Sequence, residues 1–293
     1  MTEKQILVTG ASGFVGSALV AYLKQKGKSV IGLSSRELDV TNRIQTRELD
    51  VSDVGHVIHM AGKTFVPRSW EEPAEFFETN AFGTLNLLEL CRINKIPMTY
   101  ISAYIYGPPE HNPIRESDPV NPNNPYAGSK YMGEELCEFY ARQFGVQVSV
   151  IRPFNVYGAG QKESFLIPQI ISHAMKEATI SVMDLAPMRD YVYLEDLLRA
   201  IELTVEKVQE YDVFNIGSGV SYSVGQVIEL VQKILGTDKP VICRNQTRKN
   251  ELNNVVADIT HAKDVLGWVP SYTLEQGLTQ MIGQITAGEK GNV

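Results

Sequence analysis

The sequence has few cysteines, no long apolar run and no excess of positive charge. Its three cysteines, Cys91, Cys137 and Cys243, lie far apart. They fit neither a disulfide framework nor the ligand spacing of a metal site, and the five histidines are equally scattered. We therefore expect free thiols in a reducing compartment and no bound metal.

Two further absences narrow the class of protein. No apolar stretch approaches the ~18 residues that a membrane-spanning helix needs. A formal net charge of −7 argues against binding to nucleic acid or to an anionic membrane. Because no signal-peptide pattern precedes the strand-like run Gln5–Thr9, we expect a cytoplasmic protein.

The first half of the chain alternates strand-like with helix-like segments. Apolar residues recur at helical spacing from Phe14 to Gly27 and again over Asn80–Asn94. The strand-like runs are Gln5–Thr9, Ser29–Leu33, Val54–Met60, Pro97–Ser102 and Val146–Arg152. Such alternation predicts an α/β fold of the Rossmann type, with a doubly wound parallel sheet covered by helices on both faces.

The segment after the second strand departs from this scheme. Only residues 36–38 stand before Asp39-Val40, whereas a parallel crossover takes about a dozen residues. Asp39-Val40 is therefore either no full strand or a short extended stub. We expect the helix of this segment at Thr41–Leu49, after the stub.

A glycine turn joins the first strand to the first helix. Gly10, Gly13 and Gly16 follow one another at intervals of three residues. The first allows a tight turn, the second lets the backbone approach a pyrophosphate, and the third lets the helix pack on the sheet. The N–H groups and dipole of the helix N-terminus would then receive the phosphates. At a strand–turn–helix junction, this motif predicts a dinucleotide site.

The character of the chain changes from about Phe154. Loops with glycine and proline dominate, and helix-like pieces follow at Leu194–Val208 and Val224–Leu235. We therefore expect a dinucleotide-binding Rossmann domain over residues 1–153. Residues 154–293 would form a smaller α/β substrate-binding region, with some segments returning to the first sheet.

The end of the second strand bears on the choice of dinucleotide. An acidic residue there would bind the ribose hydroxyls of NAD. This chain has Ser34, Ser35 and Arg36 instead. Hydroxyls with a guanidinium suit a 2′-phosphate, although Arg36 could also simply lie in solvent. The sequence favours NADP, with NAD as the alternative.

A phenol and an ammonium, Tyr126 and Lys130, stand four residues apart after Asn124-Pro125, a typical helix start. Positions four apart share one face of a helix, so we expect Lys130 to lower the pKa of Tyr126 and allow proton exchange near neutral pH. Ser102 ends a strand at the carboxyl edge, where such sheets bind ligands. A Tyr-x-x-x-Lys pair is common by itself, but here it follows a phosphate turn and a strand-end serine.

These motifs resemble the extended short-chain dehydrogenase/reductase family, which contains sugar-nucleotide epimerases, dehydratases and reductases. The resemblance runs from Thr9 to about Leu278. Beyond the residues above, it includes the runs His59–Gly62, Thr79–Thr84, Ser102–Gly107, Arg152–Gly158, Arg189–Tyr193, Asn215–Gly219 and Leu266–Pro270. It implies an NAD(P)-dependent enzyme that acts on a nucleoside-diphosphate sugar.

The resemblance also implies a role for each matching residue. Tyr126 would be the acid/base, Lys130 would also bind the nicotinamide ribose, and Ser102 would hydrogen-bond the reacting oxygen. The other residues expected at the cofactor are Gly10, Ser12, Gly13, Phe14, Val15, Gly16, Ser34, Ser35, Arg36, Asp39, Val40, Met60, Ala61, Gly62 and Asn80, with Asp39 and Val40 at the adenine. Those expected at the substrate, besides Ser102, are Thr64, Ala103, Tyr104, Asn155, Arg189, Arg248 and Glu251.

Within the substrate set, Asn155 and Arg189 would contact the diphosphate, Arg248 a phosphate and Glu251 a ribose. A surface salt bridge is the alternative for each charged residue among them. Family members commonly pair through two helices per subunit, which here would be Asn80–Asn94 and Pro125–Phe144. The resemblance thus implies a homodimer, unless these helices simply pack on the sheet.

Residues after Ser102 bear on the reaction. Dehydratases of the family place an Asp-Glu pair where this chain has Ala103-Tyr104. Reductases that also epimerise at carbons 3 and 5 use a Cys and a His, where this chain has Tyr104 and Phe165. Two reactions remain: NADPH-dependent reduction of a 4-keto-6-deoxy sugar nucleotide, which Ser34 and its neighbours favour, and C4 epimerisation with retained NAD. A dinucleotide-sensing protein without chemistry is a third hypothesis, which Tyr126 and Lys130 disfavour.

Overall fold

The computed structural model describes residues 4–246 and 252–290. The strands in these ranges are β1 (Gln5–Thr9), β2 (Val30–Leu33), β3 (Val54–His59), β4 (Met98–Ile101), β5 (Val148–Pro153), β6 (Asn155–Tyr157), β7 (Ile180–Val182), β8 (Met188–Tyr193), β9 (Tyr211–Ile216), β10 (Ser221–Ser223), β11 (Val241–Cys243) and β12 (Asn254–Val255). The α-helices are α1 (Phe14–Gln25), α2 (Arg43–Arg47), α3 (Val66–Glu71), α4 (Pro73–Phe77), α5 (Gly83–Asn94), α6 (Pro125–Phe144), α7 (Leu166–Lys176), α8 (Leu194–Glu206), α9 (Val224–Leu235) and α10 (Leu274–Lys290). Two π-helical segments cover Glu78–Phe82 and Ala262–Leu266. None of the helices within the described ranges has the length and apolar character to cross a bilayer.

Six parallel strands form the main sheet, in the order β2, β1, β3, β4, β5 and β9. The chain moves from β1 outward to β2 and then returns to the other side of β1, where β3 pairs with it. This reversal opens a crevice at the carboxyl ends of β1 and β3, the place where such sheets bind ligands. The predicted doubly wound parallel sheet is confirmed, and each of the five predicted strands is present.

Alternation of side chains along β1 divides its apolar residues between the two faces of the sheet. Ile6 and Val8 belong to the core that includes α1 and α8, whereas Leu7 belongs to the core that includes α5 and α6. Successive side chains of a strand point to opposite faces, so a single strand anchors both helical layers. Helices therefore cover both faces of the sheet.

The segment between β2 and β3 contains no additional strand among the described residues, so Asp39-Val40 does not form the extended stub. The Asp39 carboxylate instead accepts hydrogen bonds from the N–H and the hydroxyl of Thr41, at 3.0 and 2.8 Å, which turns the chain. The buried Val40 packs so closely on α5 that a Cβ on Gly83 would lie 2.7 Å from its Cγ2.

Two predicted helices begin later than expected. Helix α2 starts at Arg43 rather than Thr41, because the side chain of Asn42 accepts hydrogen bonds from the first backbone N–H groups of the helix. The predicted helix Asn80–Asn94 is α-helical only from Gly83, since its first residues belong to a π-helical segment. Segments of this kind are frequent at functional sites, and this one contains Asn80.

The C-terminal part of the chain forms a smaller unit and also completes the main sheet. Strand β8 is flanked by β10, β12 and β6, while β7 pairs with β11. Helices α7, α9 and α10 contribute to a separate apolar core around these strands. Strand β9 and helix α8, in contrast, pack with the main sheet. A division of the chain at residue 153 stays a prediction.

The buried imidazole of His56 on β3 makes stability depend on pH. Burial lowers its pKa to about 4, from an ordinary value of 6.5. Below pH 6.5, His56 binds a proton in the unfolded chain but not in the folded chain. The free energy of unfolding therefore falls as the pH drops toward 4. At pH 5 this effect is about 2 kcal/mol. We expect His56→Gln to lose less stability between pH 7 and pH 5 than the parent, measured by urea unfolding.

The exposed Gln143, which has no ionisable group, supplies the control. Gln143→Ala should keep the pH dependence of the parent protein. Equal pH dependence in the His56→Gln and parent proteins would contradict the effect ascribed to burial.

Candidate active site

The glycine turn after β1 lies against the loop that follows β3. Gly10 has a φ of +69°, which favours glycine, and a Cβ there would lie 2.7 Å from the backbone nitrogen of Ala61. A Cβ on Gly16 would overlap the carbonyl oxygen of Gly10. The turn therefore depends on missing side chains at two positions, and it leaves the start of α1 facing the crevice.

The N-terminus of α1 suits a pyrophosphate. Gly13 occupies the N-cap position, and no side chain caps the helix there. The first turn of a helix has N–H groups without intrahelical partners, and its dipole favours an anion. This arrangement fits the diphosphate of a nicotinamide dinucleotide.

A second turn follows β2 and holds the residues expected at the adenosine ribose. The carboxylate of Glu37 returns to Ser34, accepts a hydrogen bond from its N–H at 2.8 Å and contacts its hydroxyl. Arg36 is exposed in this turn, and its N–H donates to the Ser34 hydroxyl at 3.2 Å. Position 34 itself is not acidic, but the turn brings the Glu37 carboxylate there, which the residue type at position 34 did not predict.

Below the crevice, a line of buried hydrogen bonds joins three elements. The Thr9 hydroxyl accepts from the N–H groups of Met60 and Ala61, both at 3.2 Å, and lies 2.8 Å from Nδ1 of His59. His59 Nε2 lies 3.1 Å from the Thr84 hydroxyl. Burial and the nearby Lys130 lower the pKa of His59 to about 3, so the ring stays neutral. His59 thus acts here as a structural link between β1, β3 and α5.

Asn80 connects the loop after β3 to helix α6. It is fully buried, and its Oδ1 accepts from the N–H of Lys63 at 2.8 Å. Its Nδ2 donates to the carbonyl of Lys63 at 3.0 Å and to the hydroxyl of Ser129 at 2.9 Å. Gly62 lies directly beside it, since a Cβ there would stand 2.9 Å from Asn80 Oδ1. Asn80 therefore fixes the distance between the predicted cofactor loop and the helix of Tyr126 and Lys130.

Helix α6 carries the predicted acid/base pair. Pro125 is its first residue, and the Asn124 side chain caps it by accepting from the N–H of Ala127 at 2.9 Å. Lys130 is 5% exposed, and its Nζ lies 4.2 Å from the ring centroid of Tyr100 on β4. The helix start that Asn124-Pro125 predicted is confirmed. Capping fixes the start of α6, and Lys130, in the second turn, lies against Tyr100 of β4.

Burial, rather than the neighbouring charge, controls the proton affinity of both groups. It lowers the pKa of Lys130 to about 8, although the Glu134 carboxylate acts in the opposite direction. Burial, with a smaller contribution from Tyr104, raises the pKa of Tyr126 well above its ordinary value. The expectation that Lys130 lowers the pKa of Tyr126 is therefore wrong for this structure, because burial of the phenol raises its pKa and Lys130 is not among the groups that shift it. Tyr126 holds its proton at neutral pH.

Ser102 stands at the end of β4 with a buried hydroxyl. Its N–H donates to the carbonyl of Ile151 at 2.8 Å, which fixes it beside β5. The side chain is 4% exposed, and no described residue hydrogen-bonds its Oγ. A buried hydroxyl without a partner is costly, so an oxygen of a ligand is the expected partner. Tyr104, two residues on, stacks on Phe154 with ring centroids 5.4 Å apart.

In the C-terminal unit, Asn155 and Arg189 lie on the paired strands β6 and β8. Asn155 Nδ2 donates to the carbonyl of Asp190 at 3.0 Å, and Arg189 Nη1 donates to the carbonyl of Leu252 at 2.6 Å. The fully buried Asp190 carboxylate accepts from the N–H groups of Ser218, Gly219 and Ala257, at 2.6, 3.0 and 3.1 Å. Asp190 therefore ties β8 to the backbone at Ser218, Gly219 and Ala257, a role that the sequence did not predict.

The structure gathers most of the predicted residues at one edge of the main sheet. The cofactor residues follow β1, β2 and β3, while Asn80 and Lys130 lie beside Gly62. Thr64 is exposed in the loop after β3, and Ala103 is buried after β4. Arg248 and Glu251 lie outside the described residues. The roles of all these residues stay predictions, but their placement fits a dinucleotide along β1–β3 and a second ligand between Ser102 and Arg189.

Known proteins share this architecture. The model of the NAD dependent epimerase/dehydratase family matches residues 6–217. GDP-6-deoxy-D-mannose reductase of Pseudomonas aeruginosa is 31% identical over 300 residues, which cover 96% of this chain and 97% of that protein. UDP-glucose 4-epimerase of Thermotoga maritima, solved with UDP-glucose, superposes with a TM-score of 0.92 at 30% identity, over 97% of this chain and 99% of that one. The protein RMD of P. aeruginosa, solved with NADPH, gives a TM-score of 0.88 at 30% identity over the same shares.

The family match covers well over half of the chain, and the similarity to these proteins extends over nearly all of it. It agrees with the crevice, the glycine turn and the Tyr126–Lys130 helix described above. The resemblance read from the sequence is confirmed: this chain is an NAD(P)-dependent enzyme that belongs to the NAD dependent epimerase/dehydratase family.

Proposed function

We propose that this enzyme uses NADPH to reduce the C4 keto group of a nucleoside-diphosphate 4-keto-6-deoxy sugar. The proposal rests on two side chains: Ser102 at the carboxyl end of β4 and Tyr126 in the first turn of α6. Ser102 offers a buried hydroxyl without a protein partner, and Tyr126 holds its proton at neutral pH. A ketone that becomes an alcohol needs a hydrogen-bond donor and an acid at its oxygen, which these two residues supply.

Each side chain has one task in this scheme. The bound dinucleotide supplies the hydride. The Ser102 hydroxyl donates to the C4 oxygen and orients the ring, while Tyr126 gives its phenolic proton to the same oxygen. The Lys130 ammonium, one helical turn from Tyr126, stabilises the phenolate that remains. Asn155 and Arg189 hold the diphosphate at the far end of the substrate.

Positions 103, 104 and 165 do not carry the side chains that two other reactions of the family need. Elimination of water needs an acid and a base beside the catalytic serine, but Ala103 and Tyr104 provide no carboxylate. Epimerisation at carbons 3 and 5 needs groups that exchange protons with carbon, but Tyr104 is engaged in a stack with Phe154 and Phe165 carries no proton donor. Chemistry at the C4 oxygen is what the remaining side chains support.

A C4 epimerase is the second candidate, and one observation favours it. The Glu37 carboxylate lies at the end of β2, where an acid suits the ribose hydroxyls of NAD. Retained NAD is what an epimerase needs, since it oxidises and then re-reduces the same carbon. The similarity to UDP-glucose 4-epimerase of T. maritima is compatible with this candidate.

We further propose that the enzyme is a cytoplasmic homodimer. Ile93 of α5 and Met132, Phe139 and Phe144 of α6 expose large apolar side chains, between 43% and 54% accessible. Exposed apolar residues on two adjacent helices suit a contact with the same helices of a second subunit.

A turnover assay distinguishes the two candidates. For a reductase, absorbance at 340 nm should fall when NADPH meets a GDP-, UDP-, dTDP- or CDP-linked 4-keto-6-deoxy sugar. For an epimerase, the purified protein should release NAD on denaturation and interconvert C4 epimers with no net change at 340 nm. No turnover with any of these ketosugars, together with epimerisation, would reject the reductase.

Tyr126→Phe tests the proton donor. Loss of the phenolic proton should lower kcat by about 10²- to 10⁴-fold, whereas dinucleotide affinity, measured by fluorescence titration, should change little. Tyr140→Phe on the same helix is the matched control, because the Tyr140 hydroxyl binds Glu89 away from the crevice. A Tyr126→Phe protein with normal kcat would remove Tyr126 from the mechanism.

Arg36→Ala tests the preference for NADPH. If the guanidinium binds the 2′-phosphate, the variant should lose on the order of tenfold in affinity for NADPH and little for NADH. Arg47→Ala, which removes an exposed arginine on α2, should alter neither affinity. An equal loss of affinity for both dinucleotides, or no loss for either, would show that Arg36 does not bind the 2′-phosphate.

A further inference from the structure

A buried ion pair joins α6 to the end of β5. Glu134 is 2% exposed and Arg152 is 5% exposed. Arg152 Nε lies 3.1 and 3.0 Å from the two carboxylate oxygens of Glu134, and its Nη2 lies 2.5 Å from Oε2. The guanidinium and carboxylate are therefore paired through several hydrogen bonds, in a part of the protein with little access to water.

The pair connects α6, which carries Tyr126 and Lys130, to β5, which lies beside Ser102. On α6, Glu134 follows Lys130 by one helical turn. On β5, the two neighbours of Arg152 bind the residues that follow β4. The carbonyl of Ile151 accepts from the N–H of Ser102 at 2.8 Å, and the carbonyl of Pro153 accepts from the N–H of Tyr104 at 3.2 Å. A movement of α6 relative to Ser102 would thus have to break the ion pair.

Further hydrogen bonds prevent Arg152 from changing partner. Its Nη1 donates to the Tyr106 hydroxyl at 2.7 Å, and that hydroxyl donates to Oδ1 of Asn215 at 2.6 Å. Asn215 is itself held by Glu116, whose Oε1 accepts its N–H at 2.8 Å. The guanidinium is therefore fixed from two sides, and Glu134 is fixed with it.

Several titratable groups lie near Lys130, and among them is the Glu134 carboxylate, which is paired with the Arg152 guanidinium. From β3, His59 stays neutral because burial lowers its pKa to about 3. From β4, Tyr100 keeps its proton because burial raises its pKa, and burial has the same effect on Tyr126 and Cys137 of α6. The Glu134 carboxylate opposes the loss of the Lys130 proton that burial favours.

We propose that Glu134 is a positioning residue that keeps the buried Lys130 ammonium charged and holds α6 in register with Ser102. This inference rests on the proposed function, in which a charged Lys130 stabilises the phenolate of Tyr126. A role in stability alone accounts poorly for the pair, because apolar residues of similar volume often replace a buried ion pair without loss of stability. Replacement of both members of the pair by apolar residues should therefore change Lys130 more than it changes the fold.

The titration of Lys130 tests the proposal without substrate or dinucleotide. The Nζ signal is followed by NMR against pH in protein with ¹⁵N-labelled lysine, and it is assigned by its disappearance in Lys130→Arg. In Glu134→Gln, which keeps an acceptor for Arg152, the midpoint should fall by about one pH unit. In Glu138→Gln, the control one turn further along α6, it should not move, because Glu138 pairs instead with the exposed Arg142.

A second variant covers the case in which Glu134→Gln does not fold. In Glu134→Leu/Arg152→Met both charges are replaced by apolar groups, and the Lys130 midpoint should again fall. Kinetics supply a second readout, since the alkaline limb of the kcat profile should shift to lower pH together with the midpoint. An unchanged Lys130 midpoint in the folded variants, even with a lower Tm, would overturn the proposal. A lowered midpoint in a protein without ketosugar turnover would support it while rejecting the reductase.

Discussion

The site depends on a backbone contact that only glycine permits. At Gly10 the turn after β1 comes so close to Ala61 that no side chain fits between them, and the Thr9 hydroxyl binds the same loop through two N–H groups. This contact closes the floor of the crevice between β1 and β3. Because the N-cap residue of α1 is Gly13 and no side chain caps the helix, its first N–H groups can bind a diphosphate.

Exclusion of water is the second physical feature of the site. It lowers the pKa of Lys130 and raises that of Tyr126, so each group is biased toward its neutral form. A proton donor that does not ionise in the resting enzyme suits a reaction in which negative charge develops on a sugar oxygen. Electrostatic interactions are also stronger where water is absent, so the Glu134 carboxylate and the Lys130 ammonium have a larger effect on one another than surface charges would.

Much of the fold follows from local patterns. Runs of apolar residues with β-branched side chains predicted β1 to β5, and the spacing of three glycines predicted the turn after β1. The Asn124-Pro125 pair predicted the start of α6, because capping depends on residues a few positions apart. The segment around Asp39-Val40 was harder to predict, since the Asp39 carboxylate turns the chain there and Val40 packs on Gly83, which is distant in sequence.

By itself, the sequence determined which chemical groups are present and in what order: a glycine turn, a strand-end Ser102, and Tyr126 with Lys130 on one helical face. Tertiary structure alone decided how those groups behave. Arg152 meets Glu134 only because β5 lies against α6. The balance between burial and charge at Tyr126 likewise depends on everything packed around it. The pKa of a side chain depends on its surroundings, and at this site residues that are distant in the sequence form those surroundings.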